Sequence, residues 1–171
     1  MLGIERKFDI DVAAVEKTHR ELSRALHPDR FSGAGASERR MALSRAVEVN
    51  EAWRTVRDPI KRAEALFALA GVPVGEDREP KPSPTLLMDM LEQRESLAEA
   101  KEKHDASAVR TLAESIAARA GEVERALAAG FASDGARTEA GVLPLLPKLG
   151  ELRFYRRFLE EVSAIEEELE A

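Results

Sequence analysis

Residues 24–33 read RALHPDRFSG, which places an imidazole and a carboxylate either side of a proline just where an amphipathic segment runs out. His27 and Asp29 have the right types for a general acid–base dyad. Such a dyad also needs a nucleophile or an enclosing pocket, and nothing in the sequence signals either. Pro28 stops a helix, because a residue ahead of proline avoids helical dihedrals. The plainest role of the tripeptide is therefore a helix stop followed by an Asx-type turn. Its context adds a second possibility. Lys17, Arg20 and Arg24 are three and four residues apart and share one helix face. A loop carrying an imidazole and a carboxylate beside a basic face suits recognition of an acidic partner. The other histidines, His19 and His104, have no metal-ligand spacing with His27. The chain has no cysteine, so it has no thiolate metal or iron–sulfur ligands. No turn ends in the Gly-Lys-Ser/Thr of a phosphate loop. Neither a metal site nor a bound cofactor is expected.

The elements that must hold this tip are helices. Asp11 can cap a helix over about 12–26, with Val12, Val15, Leu22 and Leu26 on one face. A second helix is expected over 38–57. Its apolar positions Ala42, Ala46, Val49, Trp53 and Val56 alternate steps of four and three, a coiled-coil-like seam. The two make an antiparallel hairpin with His-Pro-Asp between them. A third helix has Asp58 as cap, Pro59 in its first turn and Gly71 at its C-terminal left-handed position. Residues 72–84, VPVGEDREPKPSP, hold four prolines in thirteen residues, which predicts a semi-rigid linker. The expected organisation is a first domain over 1–71, a linker over 72–84 and a three-helix bundle over 85–171. In the bundle, Ser83 caps a helix over about 84–103, and Asp105 caps one over 106–129 that Gly130 closes. The last runs from Pro144 or Pro147 to Leu169, with a seam of Leu145, Leu149, Leu152, Tyr155, Leu159 and Val162. Between these two, ASDGARTEAG is read as a flexible loop.

Composition agrees with an all-α fold: 44% hydrophobic, 34% charged and only 5% aromatic over 171 residues. The N-terminal residues carry no apolar run of signal-peptide type, and no stretch nears the ~18 apolar residues of a membrane span. A cytoplasmic location and no membrane partner are expected. Residues 1–71 hold 13 Lys and Arg against 11 Asp and Glu, and residues 72–171 hold 13 against 21. The two halves thus suit different partners. No dense basic stripe with interleaved aromatics marks a nucleic-acid surface.

The bundle has more apolar residues than its core needs. Along 86–100, Leu86, Met90 and Leu97 define one stripe, with Gln93 between them. Leu87, Met88 and Leu91 define another, a quarter-turn or more away and edged by Glu92 and Glu95. The seam of the last helix leaves Phe154 and Phe158 on nearly its opposite side. An apolar patch rimmed by charge marks an interaction site. Periodicity alone leaves open which stripe faces the core.

The segment KTHRELSRALHPDRF, followed by AVEVNEAWRTVRDP, resembles the J domain of the DnaJ family. The signal is the tripeptide together with a basic preceding helix and an Asn-x-Ala-Trp-x-x-Val-x-Asp pattern in the next. The resemblance implies that His27, Pro28 and Asp29 dock on a DnaK-type chaperone and stimulate its ATP hydrolysis, with Lys17, Arg20 and Arg24 as electrostatic support. The chain itself would catalyse nothing. HPDRF, VNEAWRTVRDPIKRAEALFALAG and LLMDMLEQRESL, and more loosely LPKLGELRFYRRFLEEV, resemble the HscB subfamily of iron–sulfur co-chaperones. That implies an HscA-type ATPase as one partner and the cluster scaffold IscU as the other. It places Leu87, Met88, Leu91, Glu92, Glu95 and Phe154 on the scaffold-binding face. The chain departs from the family at MLGIERKFDID, where J domains usually carry an aromatic-containing helix; either the first helix is very short or the start lies upstream. A general J-domain co-chaperone with another client, or with a bundle that dimerises, is the alternative.

Overall fold

The computed structural model describes residues 2–75 and 81–170, so residues 76–80 of the expected linker lie outside the described part. All regular secondary structure among the described residues is helical: α1 (Val12–Ala25), α2 (Ala36–Arg57), α3 (Pro59–Leu69), α4 (Pro84–Glu102), α5 (Ala106–Phe131), α6 (Glu139–Val142) and α7 (Leu146–Glu170). Short 3₁₀ turns lie at Pro28–Phe31 and Leu143–Leu145. The chain divides into two compact units, Met1–Leu66 and Phe67–Ala171.

Helix starts follow local chemistry. The first backbone N–H groups of a helix lack intrahelical acceptors, and a short polar side chain satisfies them. Asp11 Oδ1 accepts from Ala14 N at 3.0 Å, Ser83 Oγ from Leu86 N at 3.1 Å and Asp105 Oδ1 from Ala108 N at 2.9 Å. Asp58 Oδ1 accepts from both Ile60 N and Lys61 N, at 2.9 and 3.1 Å. Helix α2 begins two residues before the expected Glu38, at Ala36, with Gly35 as an N-cap that offers no side-chain bond.

In the first unit, α1 and α2 form the antiparallel hairpin, with Val15 on α1 and Ala42 and Val49 on α2 buried. Residues 2–11 carry no helix. There Phe8 is buried, and the Arg62 guanidinium lies 4.8 Å from its ring centroid. Trp53, expected in the core, is only half-buried. It stacks on His19 at 5.3 Å and 16°. His19 Nε2 in turn meets Asn50 Oδ1 at 2.9 Å and Ser23 Oγ at 3.3 Å. A histidine on α1 thus spans to α2 through an aromatic face and a hydrogen bond, which fixes the pose of the helix that leads into the tip.

The second unit is an up-down-up bundle of α4, α5 and α7, and Phe67 also belongs to it, with its ring edge-on to Phe131 at 5.2 Å. Two ion pairs fix the register of α4 against α7: Arg94 Nε–Glu161 Oε2 at 3.2 Å and Lys101 Nζ–Glu168 Oε2 at 2.6 Å. Both join residues 67 apart in sequence, so α4 and α7 run parallel. The Arg119–Asp89 pair ties α5 to α4.

Three expectations are corrected here. Gly130 does not end α5, which continues to Phe131. A Cβ at Gly130 would collide with Leu145 Cδ2, so this glycine permits a close approach rather than a helix stop. Part of ASDGARTEAG is ordered into α6, capped by Thr138 Oγ1, which accepts from Gly141 N at 3.3 Å. On α7, Phe158 is fully buried and Leu159 only partly, so the core seam runs through Phe158.

Helices α3 and α4 end in the same hydrogen-bond pattern with different residues. Gly71 has φ +86, with Val72 N bonded to Phe67 O. His104 has φ 53, with Asp105 N bonded to Ala100 O and His104 N to Lys101 O. Both are Schellman ends, which favour glycine in the left-handed position. A histidine there carries a Cβ penalty of about 1–2 kcal/mol. His104→Gly is therefore expected to stabilise the protein by about 0.5–1 kcal/mol, after allowing for glycine's greater freedom in the unfolded chain. Urea denaturation measures it, and an unchanged or lower midpoint contradicts this account of the turn.

Tyr155, the sole tyrosine, points into the bundle and its hydroxyl donates to Glu151 Oε1 at 3.1 Å. Burial, then the neighbouring Glu151 carboxylate, pushes the phenol up to about 12 from an ordinary 10.0. Its contribution to stability is complete below pH ~10 and is lost as pH rises through the folded value near 12. An ultraviolet titration of the native protein is expected to show phenolate forming near pH 12, and a midpoint near 10 contradicts it.

Candidate functional site

Two surfaces, one in each unit, collect the residues singled out from the sequence. In the first unit, His27 takes an extended conformation (φ -61, ψ 133) and caps the 3₁₀ turn Pro28–Phe31. Pro28 fits its first position because the N–H it lacks would have no partner there. His27 Nδ1 accepts from Asp29 N at 3.4 Å and lies 3.4 Å from Asp29 Oδ2. Ser32 Oγ donates to Asp29 O at 3.0 Å, and Arg30 N to His27 O at 3.0 Å. The tripeptide is thus held as a folded knuckle whose side chains face outward: those of His27 and Asp29 are 59% and 89% exposed. An acid–base dyad so open cannot exclude water from a reacting bond. It can enter a pocket on a partner.

Lys17, Arg20 and Arg24 are all exposed on α1. Arg20 is held by Glu16 at 2.6 Å in an i,i+4 pair, which mutes its charge. Among the described residues, Lys17 and Arg24 form no ion pair. The basic face is real but rests mainly on these two.

The second surface lies on α4 and α7. Met90 and Leu97 are buried and Leu86 half-buried, so their stripe faces the core. Leu87, Met88 and Leu91 remain 46%, 58% and 52% exposed. The question left open by periodicity is answered: the second stripe faces outward, and Glu92 and Glu95 beside it are exposed as well. Phe154 is half-buried, and the parallel register brings it level with Leu87. Three rungs therefore follow along the α4–α7 groove at heptad spacing: Leu87 with Phe154, Arg94 with Glu161, and Lys101 with Glu168. The first is apolar, the other two ionic. Phe154 and Phe158 part company here, since Phe158 is interior.

Sequence reasoning missed the brace of His19, Asn50 and Trp53 behind the tip, and Arg157, whose guanidinium lies 5.1 Å from the Phe154 ring centroid. The i,i+3 spacing of Phe154 and Arg157 was the available signal for the second. Among the described residues, no group of three or more His, Cys, Asp or Glu is placed to hold a metal ion, and no helix is long and apolar enough to cross a membrane.

An exposed His-Pro-Asp knuckle between two antiparallel helices, followed by a three-helix bundle with an outward apolar stripe, is the architecture of a J-domain co-chaperone. Comparison with known proteins agrees. Residues 82–163 match the family model described as the HscB C-terminal oligomerisation domain. The chain is 34% identical over 171 residues to a co-chaperone protein HscB homolog of Burkholderia multivorans, covering 99% of this chain and 94% of the relative. It is 31% identical over 163 residues to one of Shewanella sp. (strain MR-4), covering 95% and 92%. The structure superposes on chaperone HscB from Vibrio cholerae with a TM-score of 0.82 at 26% identity, covering 98% of this chain and 96% of that one. On human co-chaperone protein HscB the TM-score is 0.81 at 23% identity, covering 95% and 78%, a likeness of fold. The chain belongs to the HscB family of co-chaperones.

Proposed function

We propose that this protein stimulates ATP hydrolysis by an HscA-type member of the DnaK chaperones and delivers an IscU-type iron–sulfur scaffold to it in the cytoplasm. Residues 1–71 act as the J domain, 72–84 as linker and 85–171 as the client-binding bundle. His27, Pro28 and Asp29 engage the ATPase, and Lys17, Arg20 and Arg24 steer it through their field. Leu87, Met88, Leu91 and Phe154 grip the scaffold, with Glu92 and Glu95 orienting it. The observation that carries this reading is the exposure of Leu87, Met88 and Leu91 in a bundle whose core is already complete. The mechanism is a tether. Holding the client beside the ATPase raises its effective concentration without any new contact between the two, while the knuckle triggers hydrolysis.

A second reading keeps the J-domain role and makes the bundle a dimerisation module, as the oligomerisation in the family model's description suggests. Sedimentation of the purified chain, alone and with an IscU-type scaffold, decides between them. A monomer that forms a one-to-one complex supports delivery. A dimer that ignores the scaffold supports the second reading and removes the first.

A further inference from the structure

His19 precedes the knuckle by two helical turns, about 12 Å along α1 at 1.5 Å per residue. Its ring lies nearly flat on Trp53 of α2, and its Nε2 meets Asn50 Oδ1 at 2.9 Å and Ser23 Oγ at 3.3 Å. Asn50 Oδ1 is a carbonyl oxygen, so Nε2 carries the proton and donates. This contact constrains α1 in a way that apolar packing does not. Val15 is the buried residue of α1, and it lies in the first turn and a half. Towards the knuckle, Leu22 and Leu26 are only half-buried. Apolar burial has no direction, so it tolerates a turn of α1 about its own axis. A hydrogen bond and a ring stack set at 16° tolerate little. The knuckle inherits whatever rotation α1 has, because Leu26 N bonds to Leu22 O and His27 follows directly. Its link to α2 is slacker. Ser32-Gly33-Ala34-Gly35 joins the two, and a Cβ at either glycine would meet nothing within 4 Å, so packing does not hold that stretch. The side-chain bond across it, from Arg39 Nη1 to Ser32 O, is long at 3.5 Å. Half-buried Phe31 adds apolar burial, again without direction.

We infer that His19 is a positioning residue for chaperone stimulation: its bond to Asn50 and its stack on Trp53 lock the rotation of α1 and thereby aim the knuckle. This rests on the proposed role of the knuckle and deepens it. His19 is half-buried and turned towards α2, so it acts through the knuckle and not by touching the chaperone. The lock separates two parts of the knuckle's role. Attraction between the basic face of α1 and an acidic partner reaches over a Debye length of ~8–10 Å, so a modest turn of α1 leaves it nearly intact. Fit of the His27 ring and the Asp29 carboxylate against the partner is a contact property. Where geometry sets a rate, a misplacement near 1 Å costs up to about a hundredfold. Loss of the lock therefore lowers the maximal turnover and spares the concentration at which half of it is reached.

The test follows steady-state ATP turnover of a purified DnaK-type chaperone against the concentration of full-length protein, for wild type, His19→Phe, His19→Ala, Asn50→Ala, His19→Phe/Asn50→Ala and His27→Gln. His19→Phe keeps a ring on Trp53 and loses the hydrogen bond, so it is the variant expected to fold as wild type does, with circular dichroism as the check. His19→Phe and Asn50→Ala are each expected to lower maximal turnover about threefold, and His19→Ala about tenfold, with half-maximal concentrations within about twofold of wild type. The double variant is expected to be no worse than either single one, because both changes break the same bond. If folded His19→Phe and Asn50→Ala reach the wild-type maximum, or only raise the half-maximal concentration, the inference is overturned. His27→Gln tells that failure from failure of the knuckle's role. A half-maximal concentration about thirtyfold higher for His27→Gln leaves the knuckle standing whatever His19 does. If His27→Gln stimulates as wild type does, the knuckle's role falls, and the inference with it.

Discussion

Replacing His27 with Gln is expected to raise the concentration needed for half-maximal stimulation of a DnaK-type ATPase about thirtyfold while leaving the protein folded. Both halves of that expectation come from the geometry of the knuckle. The imidazole is 59% exposed, and the hydrogen bond it makes among the described residues is a long one, 3.4 Å from Asp29 N. Its removal costs the fold little, within the ~0.5 kcal/mol typical of surface sites. The partner loses much more. A ring inserted in a pocket at the centre of an interface is worth about 2 kcal/mol or more, roughly thirtyfold in the concentration needed for half-maximal stimulation. Steady-state ATP turnover against protein concentration measures this, with circular dichroism as the check on folding. Wild-type stimulation by His27→Gln reduces the tripeptide to a turn. Lys17 and Arg24 give a graded comparison. Reversing either charge should weaken stimulation more at low salt than at high.

The second large effect concerns the other unit. Leu91→Ala combined with Phe154→Ala is expected to reduce affinity for an IscU-type scaffold about a hundredfold. Each apolar truncation at an interface centre costs about 1–2 kcal/mol. The two sites sit one helical turn apart in level, so their effects will not add cleanly. Stability should respond unequally. Leu91 is 52% exposed and contributes little, whereas half-buried Phe154 also covers part of the bundle and packs under Arg157. Leu91→Ala alone therefore separates binding from folding. Calorimetric titration gives the affinity, and unchanged binding by the double variant removes the client face.

The features that were legible in the sequence are those settled within a few residues. Asp11, Asp58, Ser83 and Asp105 all cap as expected because an N-cap needs only its own side chain and the next turn. Pro28 and Gly71 act locally in the same way. The knuckle was visible because proline is a strong signal, and periodicity showed two apolar stripes on α4 without deciding which faces outward. What stayed hidden depends on neighbours distant in the chain. Gly130 looked like a helix end because nothing nearby announces that Leu145 packs over it. Phe158 and Leu159 are adjacent on α7, and only the placement of α4 and α5 decides which is interior. The parallel register of α4 and α7 is set by a long connection and two ion pairs, and the level of Phe154 with Leu87, and of Arg157 with Met90, follows from it. His19, which has no metal-ligand spacing, works instead by stacking on Trp53 across the hairpin.

Coupling of two binding events in one molecule is the central claim, and chaperone ATP turnover titrated with scaffold at fixed, sub-saturating co-chaperone tests it most directly. Wild-type protein should lower the scaffold concentration for half-maximal turnover at least tenfold relative to chaperone and scaffold alone. His27→Gln and Leu91→Ala/Phe154→Ala should each remove that shift through opposite ends of the molecule, and mixing the two defective proteins should not restore it. A shift that survives either substitution, or that the mixture recovers, contradicts the tether.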